Sequence, residues 1–439
     1  MKAMIASLML GVSISGSAAA TAQPRAAVAK IDGKAAVAEI RRILAQNYVL
    51  PDVRPKLDAA LAKGLAEERY DVSQPDLLVE RINADLTAVA HDKHLGMHFD
   101  AAEAAELAGQ PLGAGADDGP PTADDIRAAM RRNHGIVQMK IFPGNVRYIE
   151  SNGFVWAGAS SAQAYDDAMR FLHDGDAAII DLRNNGGGSP QAVQYMISHF
   201  LEPNRKIVTF HMGASGTNSL SSLATLPAGR MVGKPLYVLT SSMSASAAEE
   251  FIGHVAGFKL GEVIGETSAG AGFRNTFFPV PGGFVISVSV GRAVLASTGK
   301  DWEGVGIAPT TKVEAGKALE VARVHAMRRL ALTATPDDKA AYEAYATVLA
   351  AQLDPVTPTL PLSAYAGMFG ERKVTLEDGK LVFQRGSGPR FTLVPIDANR
   401  FAFVDDPLEN LTYSVAGNSA SGFELVRSDG SHVIANRTP

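Results

Sequence analysis

The sequence contains no cysteine among its 439 residues. Without a thiol the chain can form no disulfide, carry no lipid anchor on cysteine and use no thiolate as a nucleophile. Its stability must therefore come from the apolar core alone. With 46% apolar and 20% charged residues, the composition is that of a globular protein with room for two or three domains.

Long apolar runs and clusters of basic residues are also missing. No segment approaches the ~20 consecutive apolar residues that a membrane-spanning helix needs. The formal net charge is −5, and no block of Lys and Arg residues provides a basic surface for nucleic acid. We therefore expect no nucleic-acid partner and no membrane span. The sequence carries no indication of an oligomeric state.

The first residues, MKAMIASLMLGVSISGSAAATAQ, have the pattern of a secretory signal. Lys2 precedes a short apolar stretch, and the small residues that follow end in Ala20-Thr21-Ala22, an A-x-A cleavage site. We predict that residues 1–22 are a signal peptide, cut near Ala22. The mature protein is then expected to be periplasmic or secreted.

The rest of the chain divides by its periodicity and its turn residues into five segments. Apolar residues at helical spacing come first, then a Gly/Pro/Asp-rich stretch, alternating strands and helices, a proline-interrupted helical stretch, and short strands separated by turns. The fold class is therefore α/β with additions at both ends. The segments are an N-terminal helical domain (25–108), a linker or loop (109–135), an α/β domain (136–330), a helical linker (331–357) and a small all-β domain (358–439).

A glycine run stands between a predicted strand and a predicted helix in AAIIDLRNNGGGSPQAV. The three glycines, Gly186 to Gly188, allow backbone amides to converge on one point, as in an oxyanion hole. A tight turn from strand to helix explains the same glycines. The run by itself leaves both interpretations open.

A serine cluster occupies a similar position in YVLTSSMSASAAEEF. Ser246 and Glu249 fit the S-x-x-E capping box, which accounts for both residues structurally. A serine at such a turn can also expose its hydroxyl beside helix-terminal amides, although the G-x-S-x-G motif is absent. Both interpretations stay open at this point.

Two further segments carry titratable side chains. His91, His94 and His98 lie close together, but H-E-x-x-H is missing and Gly96 disfavours a helix that would align them on a metal. A single histidine acting as a base is the better hypothesis, because imidazole transfers protons near neutral pH. Glu303, in KDWEGVGIAPT, is by itself an acid on a solvated turn.

Taken in order, these segments resemble the tail-specific (C-terminal processing) serine peptidase family. The N-terminal segment is similar to the interphotoreceptor retinoid-binding protein branch. This resemblance implies a crotonase/ClpP-like α/β catalytic domain. The matching stretches are DLRNNGGG, SASAAEEF, GEVIGETSAGAG and EGVGIAP followed by KALEVARVHAMRRL, and for the N-terminal branch DLTAVAHDKHLGMHF.

The family resemblance implies a role for particular residues. The nucleophile is the serine three positions before the glutamate, which is Ser246, with Ser244 as a neighbour. The oxyanion donors are backbone amides of the glycine run and of the residue after the nucleophile, here Gly186 or Gly187 and Ala247.

The family's processing peptidases use a lysine base, and this chain has Ala271 at the matching place. The tricorn-core-like and retinoid-binding-like branches are more similar, because they carry a histidine in D-x-H, here His94, and an acid in E-G-V-G, here Glu303. Lys93 and Lys300, the lysines adjacent to these motifs, are less favoured alternatives as the base. A PDZ domain, usual in the processing branch, is not expected, because about fifty residues separate His94 from Val146.

The sequence therefore predicts a secreted serine peptidase that cleaves peptide or protein substrates without a metal or cofactor. Ser246 attacks, His94 accepts the proton and Glu303 supports the site. The alternative is a non-catalytic carrier of a retinoid-like or fatty-acid ligand.

Overall fold

The computed structural model describes residues 31–109, 120–212 and 216–438. No helix in these ranges is both long and apolar enough to cross a membrane. The predicted signal peptide lies outside the described residues, so the periplasmic or secreted location stays a prediction.

The described residues form helices and strands with the following bounds. The α-helices are α1 (Gly33–Asn47), α2 (Arg54–Ala66), α3 (Pro75–Ala90), α4 (Ala101–Ala108), α5 (Ala123–Arg131), α6 (Ala159–His173), α7 (Pro190–Ser198), α8 (Ala247–Gly257), α9 (Ala318–Ala331) and α10 (Pro336–Leu353). The strands up to the α/β region's end are β1 (Gly96–Phe99), β2 (Ile136–Phe142), β3 (Val146–Ser151), β4 (Ala177–Asp181), β5 (Lys206–His211), β6 (Thr217–Ser221), β7 (Leu236–Thr240), β8 (Glu262–Gly265), β9 (Phe273–Val280), β10 (Phe284–Leu295) and β11 (Thr311–Lys312). The C-terminal strands are β12 (Gly367–Phe369), β13 (Arg372–Glu377), β14 (Lys380–Arg385), β15 (Arg390–Pro395), β16 (Arg400–Phe403), β17 (Asn410–Ala416), β18 (Ser419–Val426) and β19 (His432–Asn436).

A six-stranded mixed sheet forms the centre of the α/β region, in the order β11-β8-β7-β4-β3-β2. All its pairs are parallel except β2 with β3 at one edge. β4 and β7 are buried along their whole length, as expected of parallel strands with both faces covered. Their carboxyl ends lead into the glycine run and the serine cluster, so neighbouring strands deliver both motifs to one edge of the sheet.

Helices cover both faces of this sheet. On one face, Ile180 and Val238 share a core with Tyr165 of α6, Met196 of α7 and Phe251 of α8. On the other face, α9 and α10 pack against strands β4, β7 and β8. This three-layer arrangement fixes α8, whose N-terminus carries Ser246.

A second sheet joins the N-terminal helices to the α/β region. Its order is β1-β10-β5-β6, with β9 also paired to β10. β1 pairs antiparallel with β10 in the register Gly96 to Ser287. The buried faces of α1, α2 and α3 share one core with Phe284 and Ile286 of β10. The segment predicted as an N-terminal helical domain is thus continuous in packing with the α/β region.

Part of the segment predicted as a linker is helical. Helix α5 begins after Thr122, whose hydroxyl accepts a hydrogen bond from the Asp125 amide while the Asp125 carboxylate accepts from the Thr122 amide. This capping box starts the helix, which was not predicted because glycines and prolines surround it in the sequence.

The C-terminal strands β12 to β19 form an antiparallel sheet that is nearly barrel-shaped. Each strand pairs with the next in the chain, which agrees with the turn-separated pattern of the sequence. The Thr438 amide donates to the Met368 carbonyl oxygen (2.9 Å), which brings the last strand back to the first. Val348 and Ala351 of α10 pack against Val394 and Ala402, so this sheet is attached to the α/β region by an apolar contact.

Candidate active site

Ser246 stands at the N-terminus of α8 with an unusual backbone conformation. Its φ is 54° and its ψ is −120°, whereas an ordinary N-cap residue lies in the extended region. A non-glycine residue held at such angles costs about 1–3 kcal/mol and persists only when its surroundings impose it. The backbone at Ser246 is therefore that of a sharp strand-to-helix turn that presents its side chain, rather than that of a simple cap.

The buried carboxylate of Glu249 holds this turn in place. Glu249 accepts hydrogen bonds from the amides of Ser246 (2.9 Å), Gly270 (2.5 Å) and Ala271 (2.7 Å) and from the Ser268 hydroxyl (2.6 Å). Four donors satisfy a carboxylate that is fully removed from solvent. Glu249 thus fixes the serine turn to the segment that contains Ala271.

Ser244 belongs to the framework of the site. Its hydroxyl is buried, donates to the Leu182 carbonyl oxygen (2.7 Å) and accepts from the Ser241 amide (3.0 Å). The Ala245 amide donates to the Asn185 carbonyl oxygen (3.1 Å). These bonds tie the serine turn to the glycine run, so the two motifs form one rigid unit.

The glycine run approaches Ser246 very closely. Gly187 has a φ of 111°, and a Cβ atom there would lie 2.7 Å from Cβ of Ser246. The Gly187 amide donates to Oδ1 of Asn185 (2.9 Å) and so already has an acceptor. The amides of Gly186 and Ala247 form no hydrogen bond with the residues that the structure describes. Of the predicted oxyanion donors, these two are available to a substrate.

His94 lines the same pocket as Ser246, Gly186 and Ala247. It lies two residues before β1, and the Ser287 hydroxyl of β10 donates to its carbonyl oxygen (2.5 Å). Burial lowers the pKa of the imidazole, while the carboxylates of Asp92 and Glu249 act in the opposite direction. The neutral imidazole that a general base requires is thereby favoured.

The ring of His94 is not fixed by a hydrogen bond in this structure. Its Nδ1 is buried and has no partner within the described ranges. Neither Ser246 nor Glu303 forms a hydrogen bond with the imidazole there. Catalytic hydrogen bonds commonly tighten only when substrate binds, so the shared pocket is the relevant relationship.

Two residues that the sequence did not single out as functional lie near this site: Asp92 beside His94, and Tyr48 beside Asp92. Asp92 is 5% exposed, and its Oδ1 accepts from the His94 amide (2.8 Å), while Oδ2 has no partner among the described residues. Burial and Asp92 together raise the pKa of the Tyr48 hydroxyl, which is also buried without a partner there. Asp92 could have been found through the D-x-H motif. Tyr48 ends α1 and carried no comparable signal.

Glu303 lies against the start of β9. Its Oε2 accepts from the amides of Gly272 (2.6 Å) and Phe273 (2.9 Å). Burial raises its pKa to about 7, with Asp92 and Glu249 adding to the rise and the two amide donors opposing it. Glu303 therefore changes its charge near neutral pH.

The lysines considered as bases lie outside the pocket of Ser246. Ala271 occupies the family's lysine position and is buried. The Lys93 ammonium is exposed and donates to the Ala269 carbonyl oxygen. Lys300 is exposed and lines a different depression together with Arg292 and Asp301. None of these side chains is placed to accept a proton from Ser246.

The three neighbouring histidines lie in different environments. His91 caps α3, and His98 on β1 is hydrogen-bonded to Oε2 of Glu103 (2.7 Å). Only His94 lines the pocket with Ser246. Across the described residues, no three side chains of the metal-binding types lie together so as to hold an ion.

The pocket itself has a volume of about 610 Å³. Aromatic side chains form much of its wall, while Arg132, Arg274 and Glu250 supply charges. Its size is in the range of sites that enclose a small ligand or a few side chains. The aromatic members are Phe154, Trp156, Phe210, Phe273, Phe277 and Trp302.

Comparison with known proteins assigns the chain to a family. The model of peptidase family S41 matches residues 144–313, and the model described as the N-terminal domain of Peptidase_S41 in eukaryotic IRBP matches residues 27–129. The chain belongs to peptidase family S41. The resemblance to tail-specific peptidases is thereby confirmed, and the S41 fold here consists of mixed sheets with a nearly barrel-shaped C-terminal sheet.

Individual relatives of this S41 member are distant. A carboxyl-terminal-processing protease of Synechocystis sp. is 29% identical over 170 residues, which is 38% of this chain and 38% of that relative's length. The structure of a photosystem II D1 C-terminal processing protease is 17% identical, with a TM-score of 0.43, and covers 67% of this chain and 97% of its own. The tricorn protease structure is 11% identical, with a TM-score of 0.41, over 66% of this chain and 35% of its own.

Proposed function

We propose that this S41 member is a secreted or periplasmic serine peptidase that hydrolyses peptide bonds of polypeptide substrates. The observation that carries the proposal is the strained backbone of Ser246, whose pocket also contains His94 and two amides that have no acceptor among the described residues. Strain of this kind is retained where it serves a mechanism. A helix cap alone would not need it.

In the proposed mechanism, the Ser246 hydroxyl attacks the scissile carbonyl carbon as His94 accepts its proton. The amides of Gly186 and Ala247 donate to the oxyanion of the tetrahedral intermediate, and each such donor contributes ~10²–10³ in rate. His94 then gives the proton to the leaving amine. A water molecule, activated in the same way, hydrolyses the acyl-enzyme.

The acids have separate tasks in this proposal. Asp92 lies beside His94 and stabilises the imidazolium that forms during attack. Glu303 supports the same centre electrostatically, because its carboxyl group interacts with the charge of Asp92 beside His94. Glu303 is thus a supporting residue whose ionisation adjusts the site, and it forms no hydrogen bond with the imidazole among the described residues.

The aromatic wall of the pocket supports a substrate with apolar side chains near the scissile bond. We further propose that the α/β region is crotonase/ClpP-like. Its parallel strands β3, β4, β7 and β8, with the serine turn and the glycine run at neighbouring strand ends, support that assignment.

A fluorophosphonate probe tests the proposal, because it reacts with activated serine hydroxyls. We expect the purified protein to be labelled and Ser246→Ala to be unlabelled. Ser242→Ala is the matched control, since this exposed serine lies in the same loop, and it should be labelled like the wild type. A folded wild type that takes up no probe, as expected of a non-catalytic retinoid or fatty-acid carrier, would refute the proposal. Labelling of Ser246→Ala would show that another residue is the nucleophile.

A further inference from the structure

The C-terminal sheet encloses a second pocket, remote in sequence from the peptidase motifs. Its volume is about 350 Å³. Phe383, Phe391 and Phe403 line it and pack edge to face, with ring centroids 5.2 and 5.7 Å apart. Leu425 and Val433, which face each other on adjacent strands, extend the apolar lining. The interior is therefore suited to an apolar or aromatic group.

Arg372 lines this pocket, and its charged side chain is largely buried without a hydrogen bond among the described residues. Its side chain is only 13% exposed, yet its guanidinium forms no hydrogen bond with any described residue, and its Nε is buried without a partner. The nearest carboxylate oxygen, Oε1 of Glu371, is 3.7 Å from Nη2. That oxygen already accepts a hydrogen bond from Nε of Arg385 (2.7 Å). Buried cations are normally paired and hydrogen-bonded, whereas Arg372 has only a long ion pair with a carboxylate that it shares with Arg385.

A second guanidinium at this pocket is also weakly engaged. Nε of Arg427 is 3.8 Å from Oε1 of Glu409, beyond hydrogen-bond distance. Asp406 and Glu409 are the acids of the lining, so the rim carries both signs of charge. Arginine binds carboxylates through two parallel N–H donors, and Arg372 has such donors unused.

We propose that this pocket binds a molecule in which a carboxylate is joined to an apolar or aromatic body. The carboxylate pairs with Arg372, and the body packs against Phe383, Phe391 and Phe403. Such a group occurs in free carboxylic acids and at the C-terminus of a peptide that ends in an apolar residue. The proposal does not depend on peptidase activity, because no residue of the pocket belongs to the site of Ser246.

Calorimetric titration of the full chain tests this site with matched pairs of probes. 3-Phenylpropionate is compared with its uncharged amide, and a short peptide ending in phenylalanine is compared with the same peptide amidated at its C-terminus. The peptides are measured with Ser246→Ala, so that they are not consumed. We expect binding of the acids and little binding of the amides. Binding of the small acid alone identifies a free carboxylic acid as the ligand, and binding of the peptide acid identifies a peptide C-terminus.

Substitution of the arginine assigns the binding to this pocket. Arg372→Met should weaken binding of the acids by about 10- to 100-fold, the loss expected for a charge-assisted hydrogen bond. Arg390→Met is the matched control, since Arg390 lies on β15 outside the pocket and pairs with Glu377. Its affinity should equal that of the wild type.

Arg372→Lys distinguishes loss of the ion pair with the ligand from misfolding, because it keeps the charge but loses the two-donor geometry. Its affinity for the acids should be intermediate. The melting temperature of each variant without ligand shows that the chain is folded. Equal binding of acids and amides, wild-type affinity in Arg372→Met, or no binding of either acid at millimolar concentration would overturn the proposal.

Discussion

The carboxylate of Asp92 acts on that of Glu303 across the site: the charge of Asp92 adds to the burial that raises the pKa of Glu303 to about 7. Asp92 is also held to His94 through the backbone. The proton that Glu303 gains or loses near neutrality therefore alters the field at the proposed base.

The first prediction concerns the pH dependence of kcat/KM. Burial lowers the pKa of His94, so the base should be neutral already below its ordinary value of ~6.5. Ionised Glu303 favours the imidazolium of the transition state, so a further rise in kcat/KM should occur near pH 7. Glu303→Gln should abolish that rise and lower kcat/KM at pH 8 by roughly 10-fold. A pH–rate profile of Glu303→Gln that keeps the step near pH 7 would assign it to another group.

The second prediction concerns stability. Glu303 has a higher pKa in the folded chain than its ordinary value of 4.5, so the folded state retains its proton while the unfolded state has lost it. Its stabilising contribution is complete below pH 4.5 and is lost as the pH rises through about 7. Glu303→Gln should therefore raise the free energy of unfolding at pH 8 relative to the wild type, by ~1–2 kcal/mol after allowance for solvent screening.

Urea unfolding of both proteins at pH 5 and pH 8 measures this difference. The gain from Glu303→Gln should shrink at pH 5, where the wild-type carboxyl is protonated. An equal effect at both pH values would mean that the change comes from altered hydrogen bonds to Gly272 and Phe273.

The third prediction isolates the backbone strain at Ser246. Ser246→Ala and Ser246→Gly both remove the hydroxyl, but only glycine adopts a φ of 54° and a ψ of −120° without strain. Ser246→Gly should therefore be more stable than Ser246→Ala by about 1 kcal/mol, the relief of strain less the entropy that glycine loses on folding. Thermal or urea unfolding of the pair measures the difference. A less stable glycine variant would show that the turn is not strained in solution.

The fourth prediction concerns His94. His94→Ala should lower kcat on a peptide substrate by ~10²–10⁴ with little change in KM, because the imidazole acts mainly in the transition state. His98→Ala is the control, since His98 lies four residues further on and is bonded to Glu103. It should retain kcat. Near wild-type activity of His94→Ala would remove His94 from the mechanism.

Local sequence patterns were sufficient for much of the fold. The buried strands β4 and β7 and the helices that follow them are continuous apolar or amphipathic runs bounded by turn residues, and the structure contains them where the pattern indicates. Strand β2 was not predicted, because it is an edge strand whose residues Val137 to Ile141 are exposed on both faces. Strand β6, rich in serine and threonine, lacks an apolar signal for the same reason.

The site was predictable only in part, because its pieces come from distant segments. The family resemblance implied Ser246, Gly186 and Ala247 from motifs at neighbouring strand ends, and the structure brings them together with His94 in one pocket. The placement of Tyr48 near Asp92, and the hydrogen bonds of Glu303 with the amides of Gly272 and Phe273, depend on tertiary packing. No local periodicity encodes such contacts.

The pairing of β1 with β10 has a consequence for the order of biosynthesis. The ribosome synthesises His94 about 150 residues before Ser246. Strand β10, which holds His94 against the pocket, is synthesised later still. A nascent chain therefore possesses neither a base beside its nucleophile nor a closed pocket until nearly three hundred residues have emerged. Assembly of the site from distant segments thus makes completion of the proposed site a late event in the synthesis of the chain.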